Sequence, residues 1–90
     1  MICIRIPANL RSEADDQSTV DVEANTAGEA LRQLTERYPG LTEHLCDQSG
    51  ELHAFVQVFI NEQSIRELSG METPVQANDE MLIVPALAGG

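Results

Sequence analysis

One stretch of this chain carries a helical period, and most of what surrounds it carries the period of a strand. Ala27, Ala30, Leu31, Leu34 and Tyr38 fall on one stripe at helical spacing, with Arg32, Gln33, Glu36 and Arg37 outside it. Thr26-Ala27-Gly28-Glu29 opens the stretch as a capping box. In that motif the Thr26 hydroxyl accepts from the Glu29 N–H, and the Glu29 carboxylate returns to the Thr26 N–H. Pro39-Gly40 closes the helix. One amphipathic helix has one face to bury, and a sheet is the partner on offer. The fold class that follows is α+β, two layers, one helix on one mixed sheet.

The strands read by alternation. Ile2, Ile4 and Ile6 share one face, with Cys3 and Arg5 on the other. Pro7 to Ser18 is polar and acidic and suits a turn. Alternation resumes from Thr19 to Ala24, with Val20 and Val22 inward, so the first two strands form a hairpin. After the helix, Leu41 to Cys46 suits a short helical turn with Leu41 and Leu45 inward, and 47–50 is a loop. Leu52 to Ile60 is the longest apolar run and the expected central strand. Asn61-Glu62-Gln63 is a turn, and Ser64 to Arg66 a short strand anchored by Ile65. Leu68 to Asp79 is expected to be irregular, with Gly70 and Pro74 as breakers, before a last strand from Glu80 to Pro85. The count is four to five strands on one main helix, in the order of a β-grasp.

Two of these strands are apolar on both faces. If Val56, Val58 and Ile60 point to the helix, Phe55 and Phe59 point away. The last strand repeats this, with Met81 and Ile83 inward and Leu82 and Val84 outward. With one helix available, Phe59, Leu82 and Val84 form an apolar group on the uncovered face. Such a group marks a partner site. The alternative is that residues 67–79 fold over it.

Ninety residues make one domain with little space for a deep catalytic cavity. Its extent is 1–85, followed by a tail at 86–90. Fifteen acidic residues face five arginines and no lysine, a net charge of −10. That balance excludes nucleic acid and anionic membrane surfaces as partners and favours a basic docking surface. Without lysine the chain offers no side-chain amine for an isopeptide bond. Two cysteines, Cys3 and Cys46, are too few for a disulfide scaffold and fit a reducing compartment. No apolar run suits a signal peptide or a membrane span. The expected location is cytoplasmic.

The remaining candidates for chemistry are weak. His44 and His53 have no partner at metal-ligand or catalytic spacing, so no metal site is expected. Cys46 ends an apolar turn and reads as a small core residue. Cys3 lies on the outer face with only Arg5 near it in sequence to favour a thiolate. Asp15-Asp16 is a solvated loop pair. No Gly-rich phosphate loop and no Ser-His-Asp set is present, so the chain is not read as an enzyme.

The chain closes on Ala86-Leu87-Ala88-Gly89-Gly90. A Gly-Gly end is a thin, pliable arm that can thread a narrow channel and present its carboxylate to a nucleotide phosphate. The tail, the capped single helix and the strand order together resemble the sulfur-carrier branch of the ubiquitin-like superfamily. That branch includes the small subunit of molybdopterin synthase (MoaD), the thiamine sulfur carrier (ThiS) and the cysteine-synthesis sulfur carrier (CysO), and the resemblance is nearest to CysO-like and MoaD-like members. The residues that carry it are 6–11, 52–62, 65–66 and above all 79–90.

The resemblance implies a function. A ubiquitin-activating-type enzyme (MoeB/ThiF-like) adenylates the Gly90 carboxylate with ATP and Mg²⁺, and a sulfur donor converts it to a thiocarboxylate. The carrier then feeds an acceptor such as a cysteine synthase or the large subunit of molybdopterin synthase. It binds no cofactor itself and acts as co-substrate. Gly90 carries the chemistry, Gly89 and Ala88 keep the arm thin, and Phe59, Leu82 and Val84 match the positions by which relatives dock. Cysteine-type or another biosynthetic transfer ranks above molybdopterin synthesis, and both above thiamine. Two other readings stay open: a protein modifier joined through Gly90 to lysines of other proteins, and an interaction module whose Gly-Gly is incidental.

Overall fold

The computed structural model describes residues 1–46, 52–53 and 56–85. Five strands form one sheet: β1 (Ile2–Arg5), β2 (Thr19–Val22), β3 (Val56–Ile60), β4 (Gln63–Ser64) and β5 (Glu80–Pro85). Their order across the sheet is β2-β1-β5-β3-β4. The last strand in sequence is thus the middle strand in space. It runs parallel to β1, with Cys3 beside Glu80 and Arg5 beside Leu82, and antiparallel to β3, with Val56 beside Pro85 and Ile60 beside Met81.

The main helix, α1 (Ala27–Arg37), buries Ala27, Ala30, Leu31 and Leu34. Leu34 is wholly buried. Sheet residues Ile2, Ile4, Val22, Val58, Met81 and Ile83 belong to the same core cluster. Alternation put each of these on the inward face, and the helix covers that face as expected. A short helix, α2 (Thr42–Leu45), follows a 3₁₀ turn at Pro39–Leu41, and Leu41 and Leu45 are both buried.

The capping box forms with one change. Thr26 Oγ1 accepts from Glu29 N at 3.1 Å, but the Glu29 carboxylate accepts from Asn25 N at 3.1 Å, not from Thr26 N. Thr26 is extended and bridges to Pro74, so the carboxylate reaches one residue further back.

Several segments differ from the expected reading. The strand expected over Leu52 to Ile60 runs Val56–Ile60, Leu52 bridges to Cys46, and the middle of the sheet is β5. Residues 8–14 form a 3₁₀ helix, Ala8–Ala14, that buries Leu10 and Ala14 where a polar turn was expected. The second hairpin turns on Asn61 and Glu62, both at positive φ, so Gln63 belongs to β4 and Ile65–Glu67 is 3₁₀ helix. The stretch expected to be irregular contains a further 3₁₀ turn, Gly70–Glu72, docked against α1. Ala27 N donates to Thr73 O at 2.9 Å and Val75 N to Asn25 O at 2.9 Å, which fixes this stretch to the start of α1. Thr73 is buried, but its hydroxyl donates to Gly70 O at 2.7 Å and accepts from Ser69 N at 3.0 Å, so no polar atom is stranded.

That docking requires a missing side chain. A Cβ on Gly28 would sit 3.0 Å from Met71 O and 3.2 Å from Met71 Cβ.

Both open edges of the sheet are blunted. Ile6 N donates to Ser18 O, which leaves the Asp21 and Glu23 carbonyls facing outward from β2. Arg37 Nη1 donates to Asp21 O at 3.2 Å, and Gln33 Nε2 donates to Glu23 O. The other edge, β4, is two residues long. Exposed strand edges invite pairing with another chain, and these side chains and this brevity remove the invitation.

Leu34→Ala is expected to cost about 2–5 kcal/mol, as a buried truncation on the helix face, measured by denaturant unfolding. Gly28→Val is expected to cost about 1–3 kcal/mol by pushing the Gly70–Glu72 turn off α1. An unchanged midpoint for Gly28→Val would show that the turn docks without that close approach.

Candidate functional site

The face of the sheet opposite α1 is set by the same alternation that builds the core. Register places Phe59 beside Leu82, Leu82 beside Arg5, and Gln57 beside Val84. These side chains point away from the helix because their strand neighbours point toward it. Leu82 and Val84 are each 39% exposed, high for large aliphatic residues on the middle strand of a sheet. Phe59 is half-buried. The structure therefore brings Phe59, Leu82 and Val84 onto one face, as the alternation predicts.

Residues 67–79 do not fold over this face. Their main-chain bonds run to Asn25 and Ala27 at the helix end, and Val75 is buried in the core cluster. Of the two ways to cover the apolar group, the intramolecular one is closed by this docking.

The rim of the face is polar. Arg5 Nε lies 3.1 Å from Glu80 Oε2, with the two side chains 55% and 48% exposed. So exposed a pair contributes no more than about 1 kcal/mol. It does place a cation at the margin of the apolar strip. At the lower end a shallow hollow of about 510 Å³ is lined by Phe59, Asn61, Glu62, Glu80 and Leu82. Its floor is held by a clasp that sequence reading missed. Asn61 Nδ2 donates to Asp79 Oδ1 at 2.9 Å, while Asn61 Oδ1 accepts from Glu80 N at 3.1 Å. The clasp ties the β3–β4 turn to the start of β5. Asn at a turn position was the available signal, since its side chain bonds nearby backbone groups and tolerates positive φ.

The upper end of the strip is where β5 leaves the sheet, at Pro85 beside Val56. Ala88, Gly89 and Gly90, and Phe55, expected to face outward, lie outside the described residues. Arg66 closes this corner. Its Nη2 donates to His53 O at 3.0 Å, and the same carbonyl accepts from Val56 N at 3.1 Å.

The weaker candidates fall apart in space. His44 is exposed on α2, whereas Cys46 and Leu52 pack against the core and bridge to each other. Cys3 is half-buried on the outer face, in register with Asp21 and Glu80. Among the described residues, no three His, Cys, Asp or Glu side chains are grouped to hold a metal ion. Among the same residues no helix is long and apolar enough to cross a membrane.

Comparison with known proteins fits this architecture. The chain is 34% identical over 91 residues to the sulfur carrier protein CysO of Mycobacterium tuberculosis, covering 99% of this chain and 98% of that protein. The crystal structure of that CysO superposes with a TM-score of 0.87 over 97% of this chain and 100% of the other. A chain from the BexX/CysO complex of Amycolatopsis orientalis matches with a TM-score of 0.89 at 29% identity, covering 100% of each. The small archaeal modifier protein 1 of Methanosarcina acetivorans matches with a TM-score of 0.84 at 29% identity, covering 99% of this chain and 95% of that one. The fold is the ubiquitin-like β-grasp of these neighbours. Residues 4–90 match the ThiS family, and with that span and the CysO likeness the chain belongs to the ThiS family.

Proposed function

We propose that this chain is a sulfur carrier whose Gly90 carboxylate is activated and converted to a thiocarboxylate. The observation that carries the reading is the uncovered apolar strip formed by Phe59 of β3 with Leu82 and Val84 of β5, the strand that leads into the tail. A partner seated on that strip lies directly beside the root of the Gly-Gly arm. The likeness to CysO sulfur carriers over essentially the whole chain supports the same reading.

The chemistry is acyl activation. A carboxylate is a poor electrophile, and a MoeB/ThiF-like enzyme makes it a good one by joining it to AMP from ATP, with Mg²⁺ balancing the phosphate charge. A sulfur donor then displaces AMP. The resulting thiocarboxylate is a nucleophile on a thin arm, which an acceptor enzyme draws into a site closed to water. Gly89 and Ala88 keep that arm narrow. The acceptor belongs to a biosynthetic step of the cysteine-synthase or molybdopterin-synthase kind. ATP and Mg²⁺ belong to the activating enzyme, and the carrier holds no cofactor. The net charge of −10 speeds encounter with a basic docking surface. The Amycolatopsis CysO neighbour was solved in complex with a second protein, which supports a carrier that works through docking.

A second reading has one observation in its favour. A small archaeal modifier protein is among the structural neighbours, and a modifier uses the same tail. It predicts discrete conjugates of higher mass on other proteins.

Incubation with the activating enzyme, ATP, Mg²⁺ and sulfide is expected to replace one oxygen by sulfur at Gly90, read by intact mass and fragmentation. No such change with an enzyme shown to be active would remove the carrier reading. Deleting Gly90 is expected to abolish the change and leave the melting temperature unmoved. Phe59→Ala is expected to weaken capture by the activating enzyme at least about tenfold, the loss typical of a docking anchor. A large drop in melting temperature for Phe59→Ala would instead make that residue part of the core.

A further inference from the structure

The corner where the tail leaves the sheet holds a cation that cannot act as a nucleophile. Arg66 is exposed, and its Nη2 lies 3.0 Å from His53 O. That carbonyl also accepts from Val56 N, and Val56 is paired with Pro85. The chain of contacts puts the Arg66 head group within about 13 Å of the Pro85 Cα, given the usual spacing of paired strands. Five extended residues span up to about 18 Å. The carboxyl of residue 90 can therefore reach position 66.

All five basic residues of the chain are arginine. A guanidinium keeps its proton in proteins and offers no free lone pair, whereas a lysine ammonium gives up its proton and becomes a nucleophile. Arginine and lysine serve equally well for solubility or for a single bond to a carbonyl. They differ in what they do to a nearby activated acyl group. The first residue, Met1, lies at the far end of the sheet, where Asn78 N donates to Met1 O at 3.1 Å. About 23 Å of strand separates that point from Pro85, more than the tail can span.

We infer that arginine at position 66, within a lysine-free chain, keeps the tail's surroundings free of amines so that an activated Gly90 cannot close on its own domain. This rests on the proposed activation of Gly90. The reaction avoided is an ordinary aminolysis. An amine nitrogen attacks the Gly90 acyl carbon, a C–N bond forms, the bond to the leaving group breaks, and the amine proton passes to solvent. The product is an internal isopeptide loop with no carboxylate left to carry sulfur.

The test needs no activating enzyme, so its outcome is separable from that of the carrier reading. The full chain is prepared as a C-terminal Gly90 thioester of mercaptoethanesulfonate by intein thiolysis. Wild type, Arg66→Lys and Arg66→Gln are held at mildly alkaline pH, with excess thiol to reverse exchange with Cys3 and Cys46. Intact mass after hydroxylamine separates the products. Wild type and Arg66→Gln are expected to give only hydroxylamine adduct and free acid. Arg66→Lys is expected to accumulate, as its main product, a hydroxylamine-resistant species lighter than the free acid by one water. Fragmentation should place the link between residues 66 and 90. Arg66→Gln removes the cation without adding an amine, so it reports any effect of disturbing the His53 corner. Internal closure in wild type, or a folded Arg66→Lys that stays open, overturns the inference. Neither result bears on whether an enzyme adenylates Gly90.

Discussion

The structure hangs on the insertion of β5 between β1 and β3. Without it the sheet is two separate hairpins, β1–β2 and β3–β4, each too small to hold together in water. With it, Met81 and Ile83 complete the apolar floor under α1, both essentially buried. The same six residues place Leu82 and Val84 on the opposite face and aim the chain out at Pro85. The core floor, the outward pair Leu82 and Val84, and the chain's course at Pro85 are thus three aspects of one strand. The strict two-residue period forbids separating them, because a slip of one residue would exchange the buried and exposed sets.

The single helix decides what the outer face becomes. One helix covers one side of the sheet, and the segment 65–79 adds its bulk to that same side through Ile65, Thr73 and Val75. The other side is left with a strip of aliphatic and aromatic surface inside an acidic protein. Folding alone would favour polar residues at positions 82 and 84. Leu82 and Val84 stand there instead, each 39% exposed.

Much of this was legible in the sequence. The helix from Ala27, the inward sets of all the main strands, and the grouping of Phe59, Leu82 and Val84 follow from period alone. What escaped shares a common cause. Leu10 and Ala14 are the two buried residues of an otherwise mostly polar stretch, too few to establish a period, so the 3₁₀ helix at Ala8–Ala14 read as a turn. The turn at Gly70–Glu72 owes its form to contact with α1 around Gly28 and to the Thr73 hydroxyl, which are tertiary facts. The Asn61–Asp79 clasp and the Arg66–His53 contact join residues far apart in the chain, and no local pattern announces them. The Gly-Gly ending was the most specific sequence signal, and it lies outside the described residues.

The position of β5 has a consequence for synthesis. Of the five strands, the one that joins the two hairpins is the last to be made. The parallel pairing of Cys3 with Glu80 links the first strand to the last, so it cannot form on a nascent chain that lacks its end. The sheet therefore closes only after β5 has been made. A chain cut short before residue 80 keeps only the two hairpins, each too small to hold together alone.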